Sequence, residues 1–284
     1  MACGLLGDGA DAAARVANCL RPFPATQRPA WHEGGSFAIS MDMDMLNKHP
    51  LRQDEGRQAC HRALDRYHQE AGYRWLGRAT SMLVLAGQAM LLHASLQRPT
   101  GWAMGVVCVP LALFLADLVN GLVHLWMDHN SRYGGWTGPL VAAFHLHHAR
   151  LRYEEKPLWR VYVHESGFKL WLPPVILIFL LMDKWFTLPA PLLRVVALSA
   201  ILSSVAELSH FLCHNRDGRL LRRLGRMGLL LDKARHLRHH REDNVSYAFL
   251  NGWSDPLIDR LASWGFKGYK HGTDRHVEGW TPPR

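Results

Sequence analysis

From Trp102 to Met127 the chain runs apolar for long enough to cross a lipid bilayer with some tilt, and nothing else in it limits folding as strongly. The stretch nevertheless carries Asp117, Asn120 and His124, with Asp128 just beyond it. Polar groups at that depth are unfavourable unless they pair or bind something. Three more apolar blocks accompany it: Ala79–Leu96, Phe168–Met182 with Pro173 and Pro174 inside, and roughly Leu188–Cys213. A mean hydropathy of −0.11 hides these blocks, because apolar residues are sparse before about residue 75.

Four blocks with short connections at Gln97–Gly101 and Asp183–Trp185 predict an all-α integral membrane fold, four transmembrane helices forming two hairpins. Each hairpin returns to the side it left, so every His-rich segment falls on one face. That face collects Arg150, Arg160, Arg219, Arg223 and Lys233, whereas the opposite loops hold Arg98, Lys184 and Arg194. The bias of positive charge predicts a multi-pass protein with its His-bearing helices on the cytoplasmic face. Between Asn215 and Asp232, leucines alternate with arginines at helical spacing, the pattern of an interfacial amphipathic helix.

The domain organisation read from these patterns is a polar, partly disordered extension over 1–76, a membrane domain over 77–270 and a short tail over 271–284. The extension lacks the basic start and apolar run of a secretory signal, and a short helix is predicted near Gln58–Tyr73. Its His32-Glu-Gly-Gly35 is similar to a haem-binding turn but lacks the proline, and reads as a polar loop. The net charge of +9 sits mostly beside apolar blocks, which points to lipid headgroups and away from nucleic acid. Cys3, Cys19, Cys60, Cys108 and Cys213 form no C-x-x-C pair and read as reduced packing residues.

Histidine is the anomaly of composition, with 18 in the chain and a concentration between His124 and His240. Asp117, His124 and Asp128 are spaced seven and four apart and share a helical face, with His129 next to it. His145, His147 and His148 form a second cluster, Glu207, His210 and His214 a third, and His236, His239 and His240 a fourth. Imidazole suits several transition metals, so spacing leaves the metal open. It does supply more ligands than one tetrahedral zinc needs, and suits two ions sharing carboxylates. His49, His93, His271 and His276 read as bystanders, and His164-Glu165 is the weakest member of the set.

With Ala116-Asp-Leu-Val-Asn-Gly-Leu-Val-His124, Asp128, Phe144-x-x-His147-His148, His210-x3-His214 and His236-x2-His239-His240, the chain resembles a lipid desaturase family. That family includes plasmanylethanolamine desaturase, CarF and Kua-domain proteins and a plant plastid palmitate desaturase. Tyr247 and Gly252-Trp253-x2-Pro256-Leu257 extend the likeness, which covers about residues 100–262. The resemblance implies two iron ions held by His124, Asp128, His147, His148, His210, His214, His236, His239 and His240 or their immediate neighbours. Asp117, His129, His145, Glu165 and Glu207 would support those ligands. It also implies O2 as co-substrate, a phospholipid as substrate, and electrons from an external donor such as cytochrome b5 or ferredoxin. Three departures stand out: a longer connection from His148 to Glu165, Glu207 in place of the usual Asn, and an extra His129.

Desaturation of plasmanylethanolamine to the vinyl ether plasmenylethanolamine is the leading expectation. Fatty-acyl desaturation or hydroxylation is the alternative within enzymes. A non-catalytic metal-binding or localisation protein is the rival from another class.

Overall fold

A computed structural model describes residues 50–265 apart from 150–152, 154, 241 and 243–244, all within the unit that begins at His49. The loop at 32–35, the tail over 271–284 and His49, His271 and His276 lie outside the described residues. Among the described residues the structure is helical and contains no strand. Helices α1 (Pro50–Gln69), α2 (Ala71–Leu96) and α3 (Trp102–Asp128) come first. Helices α4 (Gly138–Ala149) and α5 (Leu158–His164) follow, then a 3-10 turn over Glu165–Phe168. The series ends with α6 (Leu172–Phe186), α7 (Ala190–Asn215), α8 (Arg219–Arg226), α9 (Lys233–His239) and α10 (Asp255–Gly265).

Three helices, α2, α3 and α7, are long and apolar enough to cross a membrane. Met82, Leu83, Val106, Val107 and Leu111 point outward from α2 and α3, a surface suited to lipid rather than water. The fourth apolar block behaves differently. Pro173 and Pro174 do not interrupt a helix but open one, in a first turn where no N–H is required. The left-handed Thr187 closes it, leaving α6 with 15 residues, about 22 Å of axis against a hydrocarbon core of about 30 Å. The basic stretch after α7 is helical only over Arg219–Arg226, because Gly228 turns the chain at φ +67. Leu220 and Met227 nonetheless stay exposed there beside arginines, as at a bilayer surface.

Helices α3 and α7 run parallel, and this decides where the histidines meet. The Cys108 thiol lies 3.7 Å from the Pro191 carbonyl, the Ser199 hydroxyl donates to the Ala112 carbonyl, and Asn120 donates to Ser203 Oγ. Residue numbers rise together on both helices, so their C-terminal ends, with His124 and Asp128 on one and His210 and His214 on the other, finish side by side. Helix α2 packs the other way, with Gln88 donating to Ala200 O and Ser204 Oγ while Ser95 O accepts from Arg194. The remote ends are tied by Arg98, which bridges Asp183 and donates to the Leu188 carbonyl. Cys60, Cys108 and Cys213 are buried free thiols.

Residues 50–69, inside the stretch read from sequence as a polar extension, form α1. Its Cys60 and Ala63 are buried against Ala142 of α4, with Leu64 and Tyr133 at the edge of the contact.

Candidate metal centre

Two groups of buried side chains lie at the C-terminal ends of α3 and α7. His124, Asp128, His147, His148 and His239 form one, and His210, His214 and His236 the other, with the ligand atoms of each group within 4.8 Å of one another. The groups adjoin, since the rings of His147 and His210 are 5.4 Å apart. His240 lies between them, with Nε2 3.0 Å from His236 Nε2 and its ring 4.7 Å from that of His148.

In the first group the Asp128 carboxylate is surrounded by imidazoles. Its Oδ1 is 3.1 Å from His148 Nε2, and its Oδ2 is 3.1 Å from His124 Nε2 and 3.2 Å from His239 Nε2. The tautomers follow from the outer nitrogens. His124 Nδ1 donates to the Tyr247 carbonyl at 2.8 Å, His239 Nδ1 to Val245 at 3.0 Å and His147 Nδ1 to Phe144 at 2.6 Å. Each Nε2 therefore presents a lone pair inward. Among the described residues that of His147 is buried with no hydrogen-bond partner, and burial holds the His147 imidazole well below its usual pKa, hence neutral. A neutral, inward lone pair is what a metal takes from histidine.

The second group carries a stronger signal. His210 and His236 Nε2 are 3.0 Å apart, His210 and His214 Nε2 3.2 Å, and His214 and His236 Nε2 2.7 Å. A ring nitrogen either carries a proton or offers a lone pair, so three in mutual contact leave one pair set proton to proton or lone pair to lone pair. A cation at the centre removes that conflict. Nitrogens bound at about 2.0–2.1 Å and 90° to each other sit about 3.0 Å apart, the spacing seen here. The residues present thus fit small transition-metal ions. Burial also keeps the His236 imidazole well below its usual pKa.

The other residues singled out from sequence take distinct places. Both nitrogens of His145 are committed, Nε2 donating to the Met127 carbonyl and Nδ1 accepting from the Tyr133 hydroxyl, so it holds α4 against α3. His129 Nδ1 lies 2.9 Å from the Leu125 carbonyl, outside both groups. Glu207 pairs at 2.8 Å with the buried Lys169, which also donates to Asn120. Glu165 pairs with Lys156, and burial raises its carboxyl pKa. His93 is exposed on α2. Two residues went unassigned by sequence reasoning: Lys169, read only as part of a basic face, and Tyr153, whose hydroxyl is 3.4 Å from His210 Nδ1 and whose ring packs edge-on to His214. A lone cation at the edge of an apolar block is a signal for the first, and the second carried none.

Asp117 binds no metal group. Its Oδ1 accepts from the backbone N–H of Leu250, Asn251 and Gly252, and its Oδ2 from the N–H and hydroxyl of Ser254. This carboxylate shapes the segment whose Tyr247 and Val245 carbonyls orient His124 and His239. The segment lies so close to α3 that a Cβ on Gly121 would come within 2.4 Å of Ile258 and 3.4 Å of Ala248 Cα. Gly252, at φ +84, has no room either, since a Cβ would meet the Arg235 guanidinium at 2.4 Å. Ser209 of α7 closes the frame, donating to the Leu250 carbonyl and accepting from Leu231 N–H, while Asp232 caps α9.

Beyond this frame, burial pushes the Asp255 carboxyl up to about 7. Between the unfolded value of 3.8 and about 7 the folded chain holds a proton that the unfolded chain has lost. The stability that Asp255 contributes is therefore greatest below that window and is lost as pH rises through it. The buried neutral imidazoles of His147 and His236 act in the opposite sense, so the contribution shows as a difference between wild type and Asp255→Asn. On going from pH 5 to pH 8 in detergent the variant's melting temperature is expected to change more favourably, and an identical change in both would remove Asp255 as a source.

Metal should stabilise the whole assembly. Chelation is expected to lower the melting temperature, and Zn(II) or Fe(II) to restore it, since ligand at a thousandfold excess over Kd adds about 4 kcal/mol. Identical melting before and after chelation of metal-loaded protein would count against the centre.

A cavity of about 480 Å³ borders both groups through His147 and His210. Phe144, Phe211 and Phe249 give it an apolar side, and Lys156, His164 and Glu165 a polar one. A family model described as a lipid desaturase domain matches residues 113–267. No curated protein and no solved structure matches the chain.

Proposed function

This chain belongs to the lipid desaturase family, and we propose that it is a membrane di-iron enzyme converting plasmanylethanolamine to its vinyl ether, plasmenylethanolamine. The observation that carries the proposal is the pair of adjoining buried groups, one imidazole of each facing a cavity with an apolar and a polar side. Iron held there would supply dioxygen reduction and removal of hydrogen from carbon. In the overall reaction a CH2–CH2 unit, O2, two electrons and two protons give CH=CH and two waters. The ligands are His124, Asp128, His147, His148 and His239 on one side and His210, His214, His236 and His240 on the other. The Tyr247, Val245 and Phe144 carbonyls hold three of these imidazoles in the ligating tautomer. In this reading a separate donor such as cytochrome b5 or ferredoxin delivers the electrons.

The protein is multi-pass, with α2, α3, α6 and α7 as its four membrane segments and α6 seated short in the bilayer against α2. The arginines of α8, suited to anionic cytoplasmic headgroups, support a metal centre on the cytoplasmic face. Expression in a host that makes no plasmalogen tests the reaction. Lipids carrying an acid-labile vinyl ether support it; an acyl double bond or hydroxyl alone transfers the site to another lipid reaction, and purified protein without iron makes it a non-catalytic membrane protein.

A further inference from the structure

The cavity beside the metal groups is not built from the matched domain alone. Leu64, Tyr67 and His68 of α1 line it together with His147, His210 and Phe249. These three residues precede the matched region, which begins at residue 113. They are firmly placed, with the Tyr67 ring stacked on Phe168 at 5.9 Å and Cys60 and Ala63, one turn earlier, buried against α4.

We propose that α1 is the selectivity wall of the lipid site, so that Leu64, Tyr67 and His68 determine which phospholipid is accepted. This rests on the desaturase reading above and extends it. The chemistry of the lining indicates how such a molecule lies. Its chain runs along Phe144 and Phe249 toward His147 and His210, and its zwitterionic headgroup meets His68, Lys156, His164 and Glu165, polar groups of the same lining. At about 480 Å³ the cavity falls within the ordinary range of small-ligand sites and holds the head-proximal part of a phospholipid. Tyr67 and Leu64 share the lining with His147 and His210, so a change of volume there alters which headgroup lets the chain reach the metals. Neither is among the ligands or their hydrogen-bond partners, so their effect falls on the lipid.

The test uses the full-length, iron-loaded protein with Tyr67→Ala and Leu64→Trp. Iron content, phospholipid retained through purification by native mass spectrometry, and competition between an alkyl-acyl phosphatidylethanolamine and its phosphatidylcholine counterpart are the readouts. Both variants are expected to keep their iron. Tyr67→Ala should shift the headgroup preference by about tenfold or more, the scale of a pocket contact, and Leu64→Trp should strip the retained phospholipid. Preference and retention both unchanged in the two variants would overturn the proposal. Loss of iron in both would overturn it too, by making α1 a structural support. If the wild-type protein forms no vinyl ether while Leu64→Trp still removes bound phospholipid, the lipid wall stands and the desaturase reading falls.

Discussion

Asp128→Asn is expected to abolish the first metal group while leaving the helices in place. The side chain keeps its size, but an amide replaces a carboxylate that has imidazole nitrogens of His124, His148 and His239 at 3.1–3.2 Å. The negative charge that balances a cation in a dry site disappears, and the amide presents an N–H where a lone pair stood. Replacing a group that merely supports a ligand weakens metal binding by roughly 10–100-fold, and loss of a ligand is expected to do at least as much, with activity down about 100-fold or more. Metal analysis and lipid turnover on the same preparation check both. Wild-type metal content and turnover in the Asp128→Asn variant would remove Asp128 from the centre.

Asp117→Ala is expected to have the largest effect on stability of any single change in α3. Five donors on Leu250, Asn251, Gly252 and Ser254 lose their acceptor in a buried place. Each such loss costs about 1–3 kcal/mol before relaxation, so the total is comparable with the net stability of an ordinary domain. The variant should accumulate poorly and carry little metal, because the segment that loosens also orients His124 and His239. Asp117→Asn retains one acceptor oxygen and should fall between the two. Melting within about 2 °C of wild type for Asp117→Ala would show that the 250–254 segment is held by something else.

The two aspartates illustrate how far sequence reaches. Asp117 and Asp128 lie on one helical face with His124, and spacing marks all three as inward-facing. It does not say that one carboxylate meets backbone N–H groups and the other imidazoles, because the partners of Asp117 come from more than 130 positions away and those of Asp128 include His148 and His239 on other helices. His145 shows the same limit, since it shares a face with His148 by periodicity, yet both its nitrogens are taken by Met127 and Tyr133. Lys169 reads as one more basic residue at a membrane edge, and only the approach of α7 reveals its pairing with Glu207.

Sequence by itself determined which segments are long and apolar, which polar groups ride inside them, and the family to which those motifs belong, since hydropathy and residue spacing are local properties. It also showed that histidine is too abundant and too clustered for a structural role alone. Tertiary structure decided that α3 and α7 run parallel and so bring their histidines together, and that α1 lines the cavity beside them. These depend on how distant helices pack, which is governed by side-chain fit such as Asn120 on Ser203 and the bare backbone at Gly121. No local pattern encodes such contacts, and only the folded chain expresses them.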